Sequence, residues 1–442
     1  MESERVAVVG AGLAGLAAAW RLAQAGKRVV VYEAARVGGR MQSDEIQGAV
    51  ADTAVQLLSS TYSRTLVLAS EVGRGGDVVR APGKDAMWRD GEAHGISYGS
   101  MASMLTSGAL PAGLKLRLAT KYVPFLKREA ASLSANDPSG TGGAELDGES
   151  IAEWGRRELG EDFVELMAYP LLAAYYGGVA EEMSAAMYHA LARVGLDVKV
   201  MAMREGMGAL PRGVASALVT RGAEVREGQR VSAVRRAASG VEVDAGGTEH
   251  YAAAVVATPA PVARSLLAAT GSLDAWLDGV RMSGTLTVAF LLSGRPRVNW
   301  FGLSFPRSTL EGRELVALCA PHSKHSKLVP PGMGLLLAFP APPVARRLIE
   351  APSEEIVARL LPVIDRVLPG TEKRVLVTRV YRFAEGYTLF RPGYLQHLSG
   401  FDAAWLPLDV SLAGDYMVAP TVEGAVLSGE RAARRLLSRR PA

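Results

Sequence analysis

The amino-acid sequence predicts an α/β fold: a parallel sheet carrying a β-meander, interrupted by a helical insert and by an inserted mixed sheet. Three observations lead there. The first 33 residues run strand, glycine-rich turn, helix, strand, and a strand-turn-helix pattern returns at residues 410–429. Residues 282–398 alternate apolar and polar positions as strands do, whereas residues 101–193 read largely as helices. With 442 residues, 49% of them hydrophobic and 21% charged, the chain has the composition of a folded protein of about two or three domains.

Val6-Ala7-Val8-Val9 is the unbroken apolar, β-branched run of a strand buried on both faces. Gly10-Ala11-Gly12-Leu13-Ala14-Gly15 follows, then an Ala- and Leu-rich helix over residues 16–25 and a second strand over residues 27–32, ending at Glu33. In such a turn Gly10 permits the tight bend, Gly12 lets the backbone approach a pyrophosphate, and Gly15 lets the helix pack close to the strand. The helix start adds free N–H groups and the positive end of its dipole. Glu33, eighteen residues beyond Gly15, is placed to accept hydrogen bonds from ribose hydroxyls, and its charge would repel the 2′-phosphate of NADP. The spacing predicts a Rossmann-like dinucleotide site.

Glu33 is followed by Ala34-Ala35-Arg36-Val37-Gly38-Gly39-Arg40-Met41-Gln42-Ser43. Near the other end stand Val410-Ser411-Leu412-Ala413-Gly414-Asp415-Tyr416 and then Pro420-Thr421-Val422-Glu423-Gly424-Ala425-Val426-Leu427-Ser428-Gly429. These two stretches resemble the FAD motifs of the amine oxidase, protoporphyrinogen oxidase and phytoene desaturase superfamily, and the resemblance extends over essentially the whole chain. It implies a non-covalent FAD, since no Cys or His stands in the context used for covalent attachment. It places Ala34, Gly39 and Arg40 by the phosphates, the Val231 backbone at the adenine, and Gly414 and Asp415 at the ribityl or phosphate region. Thr421, Val422 and Ala425 then present a helix start to flavin N1 and the C2 carbonyl. Reduced flavin is negative at N1, and a helix dipole stabilises such charge by about 0.3–2 kcal/mol.

On this reading residues 1–75, 205–280 and 399–442 form a discontinuous FAD-binding domain. Residues 76–204 form a helical insert and residues 281–398 a substrate-binding sheet. Within them, Asp90-Gly91 signals a hairpin turn, and helical pattern covers residues 101–133 and 149–193. Residues 134–148 read as a mobile polar loop. Short strands are expected at 224–226, 229–234, 240–243 and 251–257, and a single helix at 354–368.

Three further segments lean toward the protoporphyrinogen oxidase branch: Ala173 through Ser184, Gly206 through Pro211, and Arg382 through Tyr394. The chain departs from that branch at Thr388, Leu389, Phe390 and Tyr394. Amine oxidases place a lysine where Thr287 stands here. The expected chemistry is hydride removal from a C–H bond of a bulky, apolar substrate (porphyrinogen-like, polycyclic or polyene), with O2 or another acceptor reoxidising the flavin. Oxidation of an amine or amino acid, and flavin binding without turnover, stand as alternatives. Tyr175, Tyr176, Phe390 and Tyr394 are candidates for the apolar substrate wall, though each also reads as a packed core aromatic.

Other classes are disfavoured. A single cysteine, Cys319, rules out an intrachain disulfide and a cysteine metal cluster. Of the six histidines only His322 and His325 are close, so no metal is expected, and none stands in a context recognisable for a serine nucleophile's triad. A net charge of +4, scattered except for Arg434-Arg435 and Arg439-Arg440, gives no nucleic-acid surface, and those pairs read as a solvated helix end. The start Met1-Glu2-Ser3-Glu4-Arg5 fits no secretory signal, and no apolar run spans a bilayer. The expectation is a cytoplasmic monomer or homodimer, with peripheral membrane contact left open.

Overall fold

The Val- and Ala-rich runs pair as expected: strands Arg5–Val9 and Arg28–Tyr32 are parallel, with Val8 opposite Val31. The computed structural model describes residues 5–81, 84–97, 100–128, 133–134, 144–194 and 198–438. In it these strands form the middle of a five-stranded sheet. The order is Glu224–Arg226, Arg28–Tyr32, Arg5–Val9, Ala253–Val256, Val410–Leu412, every pair parallel. Segments far apart in sequence therefore share one sheet.

Val6, Val8, Val29, Val31 and Val255 point to one face, under helices Leu13–Gln24 and Val422–Leu437. Those helices cross backbone to backbone at Gly429, where a Cβ atom would fall 2.0 Å from the carbonyl oxygen of Ala14. The opposite face, with Ala7, Val9, Val30, Ala254 and Val256, is covered by Val234, Val241 and Val243. These belong to an antiparallel meander of strands Ala233–Arg236, Val241–Asp244 and Thr248–Tyr251.

A second, seven-stranded sheet has the order Val375–Thr388, Met282–Leu292, Gly334–Pro340, Leu315–Cys319, Gly302–Ser304, Asp85–Arg89, Glu92–Ile96. Its pairs are antiparallel except that Gly302–Ser304 runs parallel to Asp85–Arg89. The Asp90-Gly91 hairpin forms with φ of 54° and 80°, as a two-residue turn of this type requires. It joins this sheet rather than the helices that follow it. Two helices, not one, cover the outer face: Pro342–Leu348 and Ser353–Val367. The first is short and opens on Pro342-Pro343, which reads as a loop in sequence but suits a helix start, where N–H groups are unpaired anyway.

The helical pattern over 149–193 is broken into Ile151–Glu158, Tyr169–Tyr176 and Ala185–Val194, with shorter turns between. Glycines at positive φ, Gly160 and Gly177, end two of these segments. The polar loop of residues 134–148 lies for the greater part outside the described residues. The C-terminal arginines differ from expectation: Arg435 is drawn inward and donates to the Val410 and Ala403 carbonyls. Arg439 and Arg440 lie outside the described residues. Among the described residues no helix is long and apolar enough to cross a membrane.

Candidate functional site

One cavity of about 630 Å³ lies where the two sheets and both helix starts meet. The turn after the first strand opens onto it through Gly10, Gly12, Leu13 and Ala14. A Cβ at Gly12 would meet nothing within 4 Å, so the cradle has open space where a phosphate would lie. Gly12 is also the N-cap of helix Leu13–Gln24 and offers no side-chain cap, which leaves the first-turn N–H groups to the cavity. Ala11 and Gly15 sit behind this surface. A Cβ on Gly15 would fall 1.9 Å from the Gly10 carbonyl oxygen, so only glycine allows the turn to fold back on the helix.

Glu33 and Ala34 line the same end, beside Gln229, Arg230 and Val231 from the meander side. The Glu33 carboxylate accepts from the backbone N–H groups of Ala11 and Ala35, each at 2.9 Å. A carboxylate has about four acceptor sites, so capacity remains for hydroxyls.

Gly39 and Arg40 lie at the middle of the cavity, facing Gly414 and Asp415. Read from sequence as two separate cofactor contacts, Arg40 and Asp415 bind each other: Nη1 and Nη2 reach the two carboxylate oxygens at 2.8 and 3.0 Å. Arg40 also donates to the Gly386 carbonyl at 3.1 Å. Asp415 further accepts from Thr388 Oγ1 at 3.2 Å and from the Tyr416 N–H at 3.0 Å. The pair is a bidentate, charge-assisted clamp joining three distant stretches of chain. Asp415 is buried, and the Arg40 surface left over faces the cavity.

Thr421, Val422 and Ala425 bring the second helix start to the cavity wall. Thr421 is its N-cap, accepting from the Gly424 N–H at 2.9 Å. Glu423, which in sequence could open an ordinary surface helix, is 1% exposed. It accepts from the Arg64 and Thr65 N–H groups at 2.7 and 2.9 Å and so caps helix Ser63–Glu71. Among the described residues, three on the lining carry buried polar atoms without a partner: Gln56 Oε1, Thr258 Oγ1 and Tyr416 OH. The open cradle, the uncapped helix start and these orphaned groups fit an elongated, polar and phosphorylated ligand such as a dinucleotide.

At its other end the cavity becomes apolar, walled by Phe301, Leu303, Phe339, Phe383, Tyr176 and Tyr387. Tyr175 and Tyr176 reach this lining; Phe390 and Tyr394 do not, and for these two the other sequence reading, a packed core aromatic, fits the structure. Strand Val375–Thr388 ends before them, so Phe390 turns into the core, 0% exposed, and its carbonyl accepts from the Ser184 N–H at 2.8 Å. Tyr394 packs against it with ring centroids 4.4 Å apart and planes tilted by 48°, and donates to the Tyr416 carbonyl. Both are packing residues that brace the Asp415 turn. Sequence reasoning missed Phe383 and Tyr387, although two-residue periodicity along their strand puts them on one face.

Thr287 is fully buried, and its hydroxyl has no partner among the described residues. By strand alternation it shares a face with Ala289 and Leu291, toward the layer that holds the cavity. A buried lysine does stand nearby, from another element. Lys324, at the end of the short helix Pro321–Lys324, is 0% exposed. It pairs with Asp52 and donates to the Gln56 carbonyl at 3.0 Å. Asp52 in turn accepts from Ser43 Oγ at 2.6 Å and the Met207 N–H at 2.7 Å. Cys319 lines the cavity as well, and burial pushes its thiol up to about 12, so it stays protonated at neutral pH.

A family model described as flavin containing amine oxidoreductase matches residues 13–437. Putrescine oxidase of Kocuria rosea is 34% identical over 155 residues, covering 34% of this chain and 31% of that protein. Phytoene dehydrogenase of Streptomyces griseus is 29% identical over 289 residues, covering 60% and 56%. The chain thus spans less than two thirds of either relative. Among solved structures, cyclohexylamine oxidase from Brevibacterium oxydans shares the fold, with a TM-score of 0.76 at 18% identity over 99% of this chain and 100% of that one.

Proposed function

The chain belongs to the flavin containing amine oxidoreductase family, and we propose that it holds FAD non-covalently and oxidises a C–H bond of a largely apolar organic substrate. The observation that carries this reading is the single cavity that runs from a dinucleotide cradle into an aromatic chamber. FAD supplies the hydride acceptor when bound, and O2 or another acceptor reoxidises it. In this reading the chain's own residues bind, orient and exclude water. Gly10, Gly12, Leu13 and Ala14 cradle the pyrophosphate, with Ala11 and Gly15 shaping the turn. Glu33 and Ala34 hold the ribose and Val231 faces the adenine. Gly39, Arg40, Gly414 and Asp415 position the middle of the cofactor, and Thr421, Val422 and Ala425 aim a helix start at the flavin. Tyr175 and Tyr176 join the substrate wall. Residues 1–75, 205–280 and 399–442 act as the FAD-binding body, with 76–204 and 281–398 supplying the remaining walls.

Glu33→Ala tests the cofactor half. Loss of the charge-assisted bonds to the ribose, worth about 1.5–3 kcal/mol each, lowers FAD affinity by about tenfold or more. Flavin absorbance per chain after gel filtration measures it, and full occupancy in the variant would remove Glu33 from the site.

Anaerobic mixing with porphyrinogens, polyenes, and primary and secondary amines tests the substrate half. Bleaching of the oxidised flavin by a porphyrinogen or polyene is the expected result. Oxidation of an amine is the second reading, favoured by the carboxylates of Asp85 and Glu385 on the lining. Bleaching by amines alone establishes it; flavin that no member of the panel bleaches argues for binding without turnover.

A further inference from the structure

A second hollow, of about 610 Å³, lies on the outer side of the seven-stranded sheet. Its apolar walls are Trp88, Val298, Trp300, Leu303, Val367 and Leu368, all from the layer between that sheet and helix Ser353–Val367. Of these only Leu303 also lines the cavity described above, because the paired strands Asp85–Arg89 and Gly302–Ser304 stand between the two spaces. The walls are held in place. The Trp88 indole N–H donates to Glu311 at 3.0 Å, and Glu311 lies 3.6 Å from Arg366, which balances its charge. The segment that carries Val298 and Trp300 is fixed by its backbone: the Val298 N–H donates to the Pro296 carbonyl at 3.1 Å and the Phe301 N–H to the Lys84 carbonyl at 2.7 Å. Two donors on the lining nevertheless have no partner among the described residues. Trp300 is 3% exposed, yet its indole N–H makes no hydrogen bond, whereas buried tryptophans ordinarily find one. The guanidinium of Arg297, exposed at the rim, pairs with no carboxylate.

We propose that this hollow is a second binding site, separate from the flavin cavity, for a free organic carboxylate with an apolar body. Its volume lies within the range of about 300–1,000 Å³ usual for small-molecule sites, and its make-up is theirs: apolar walls with a few polar groups to fix orientation. The walls take the hydrocarbon or aromatic part. The planar fork of Arg297 matches the two oxygens of a carboxylate. The Trp300 N–H and the Asn299 side chain, also on the lining, supply further donors. One guanidinium answers one negative charge, so a monocarboxylate suits the site better than a phosphate monoester. A neutral analogue of the same shape gains the walls and leaves the arginine unused.

The test is calorimetric titration of the full chain, at neutral pH and low ionic strength, with 4-phenylbutyrate and with its neutral counterpart, 4-phenylbutan-1-ol. The acid is expected to bind about tenfold more tightly than the alcohol, the scale of one charge-assisted pairing. Arg297→Gln brings the two probes to within about twofold of each other, and Trp300→Phe weakens the acid by about two- to tenfold, as loss of one hydrogen bond does. Neither change alters flavin content, since neither residue lines the other cavity. Wild-type protein that binds both probes alike, or neither, overturns the site. An Arg297→Gln variant that keeps the preference overturns it too, because the acid would then be seated elsewhere, the flavin cavity included. So does Trp300→Phe protein that binds the acid at full strength. Should the Trp300 variant not fold, the wild-type protein and the exposed Arg297→Gln change decide between them. Failure to take up FAD would count against the proposed function and leave this result standing, so the two readings fail separately.

Discussion

Asp415→Ala is expected to lower FAD affinity by at least about a hundredfold, so that the purified protein is close to colourless. Asp415 is buried and receives both terminal nitrogens of Arg40 together with Thr388 Oγ1 and its neighbour's N–H. Removing it leaves a guanidinium on the cavity wall without its counter-charge, and breaking a buried pair in this way costs about 3–5 kcal/mol. The cost falls on the cofactor site because Arg40 also holds the Gly386 carbonyl at the chamber wall. The freed arginine would swing into the space the cofactor needs. Asp415→Asn keeps the shape and some of the hydrogen bonds, and should fall between. Titration of the apoprotein with FAD, followed by flavin fluorescence, gives the affinities. An alanine variant with wild-type affinity would show that the clamp is remote from the cofactor.

Lys324→Met is expected to destabilise the fold by about 3–5 kcal/mol, because it strands Asp52 as an unpaired buried charge. Lys324 and Asp52 are 0% and 2% exposed, and the pair ties the second sheet to strand Ala49–Asp52 of the first body. Denaturant unfolding of the FAD-loaded protein, with the midpoint multiplied by the slope, measures the loss. Two-state behaviour is checked by following flavin release and circular dichroism together. Adding Asp52→Asn to Lys324→Met should cost much less than the sum of the two single changes, since the double variant leaves no lone charge. Strict additivity would mean the two side chains act independently.

What could be read from the sequence follows the range of the interactions. The cradle was legible because turn, helix start and ribose acid lie within 33 residues and obey local rules. The second helix start was legible for the same reason, and family membership followed from the two motifs together. The Arg40–Asp415 clamp was not, since its partners are 375 residues apart and only the closed sheet brings them together. Asp85 escaped notice for a related reason. A hairpin is a local signal, but the strand it pairs with is not, and Asp85 becomes a cavity residue only through Gly302–Ser304. For Phe390 and Tyr394 sequence left two readings open, substrate wall or packed core, because the strand ends at Thr388 and no local period extends to them. Lys324 stands among the polar residues His322, Ser323, His325 and Ser326, and nothing in these neighbours announces complete burial.

The crossing at Gly429 has a consequence for biosynthesis. The helix that starts at the Gly12 turn leaves the ribosome long before the helix it rests on, Val422–Leu437. The outer strand of the same sheet, Val410–Leu412, also emerges late. Until that helix emerges the turn is exposed on one flank, with Ala14, Ala17 and Ala18 awaiting their partner. Cofactor uptake is therefore expected to await the segment around Gly429, and a nascent chain stalled before it should neither retain flavin nor resist proteases. Cellular supply of FAD would then govern how much of the finished polypeptide survives quality control, rather than how fast it is made.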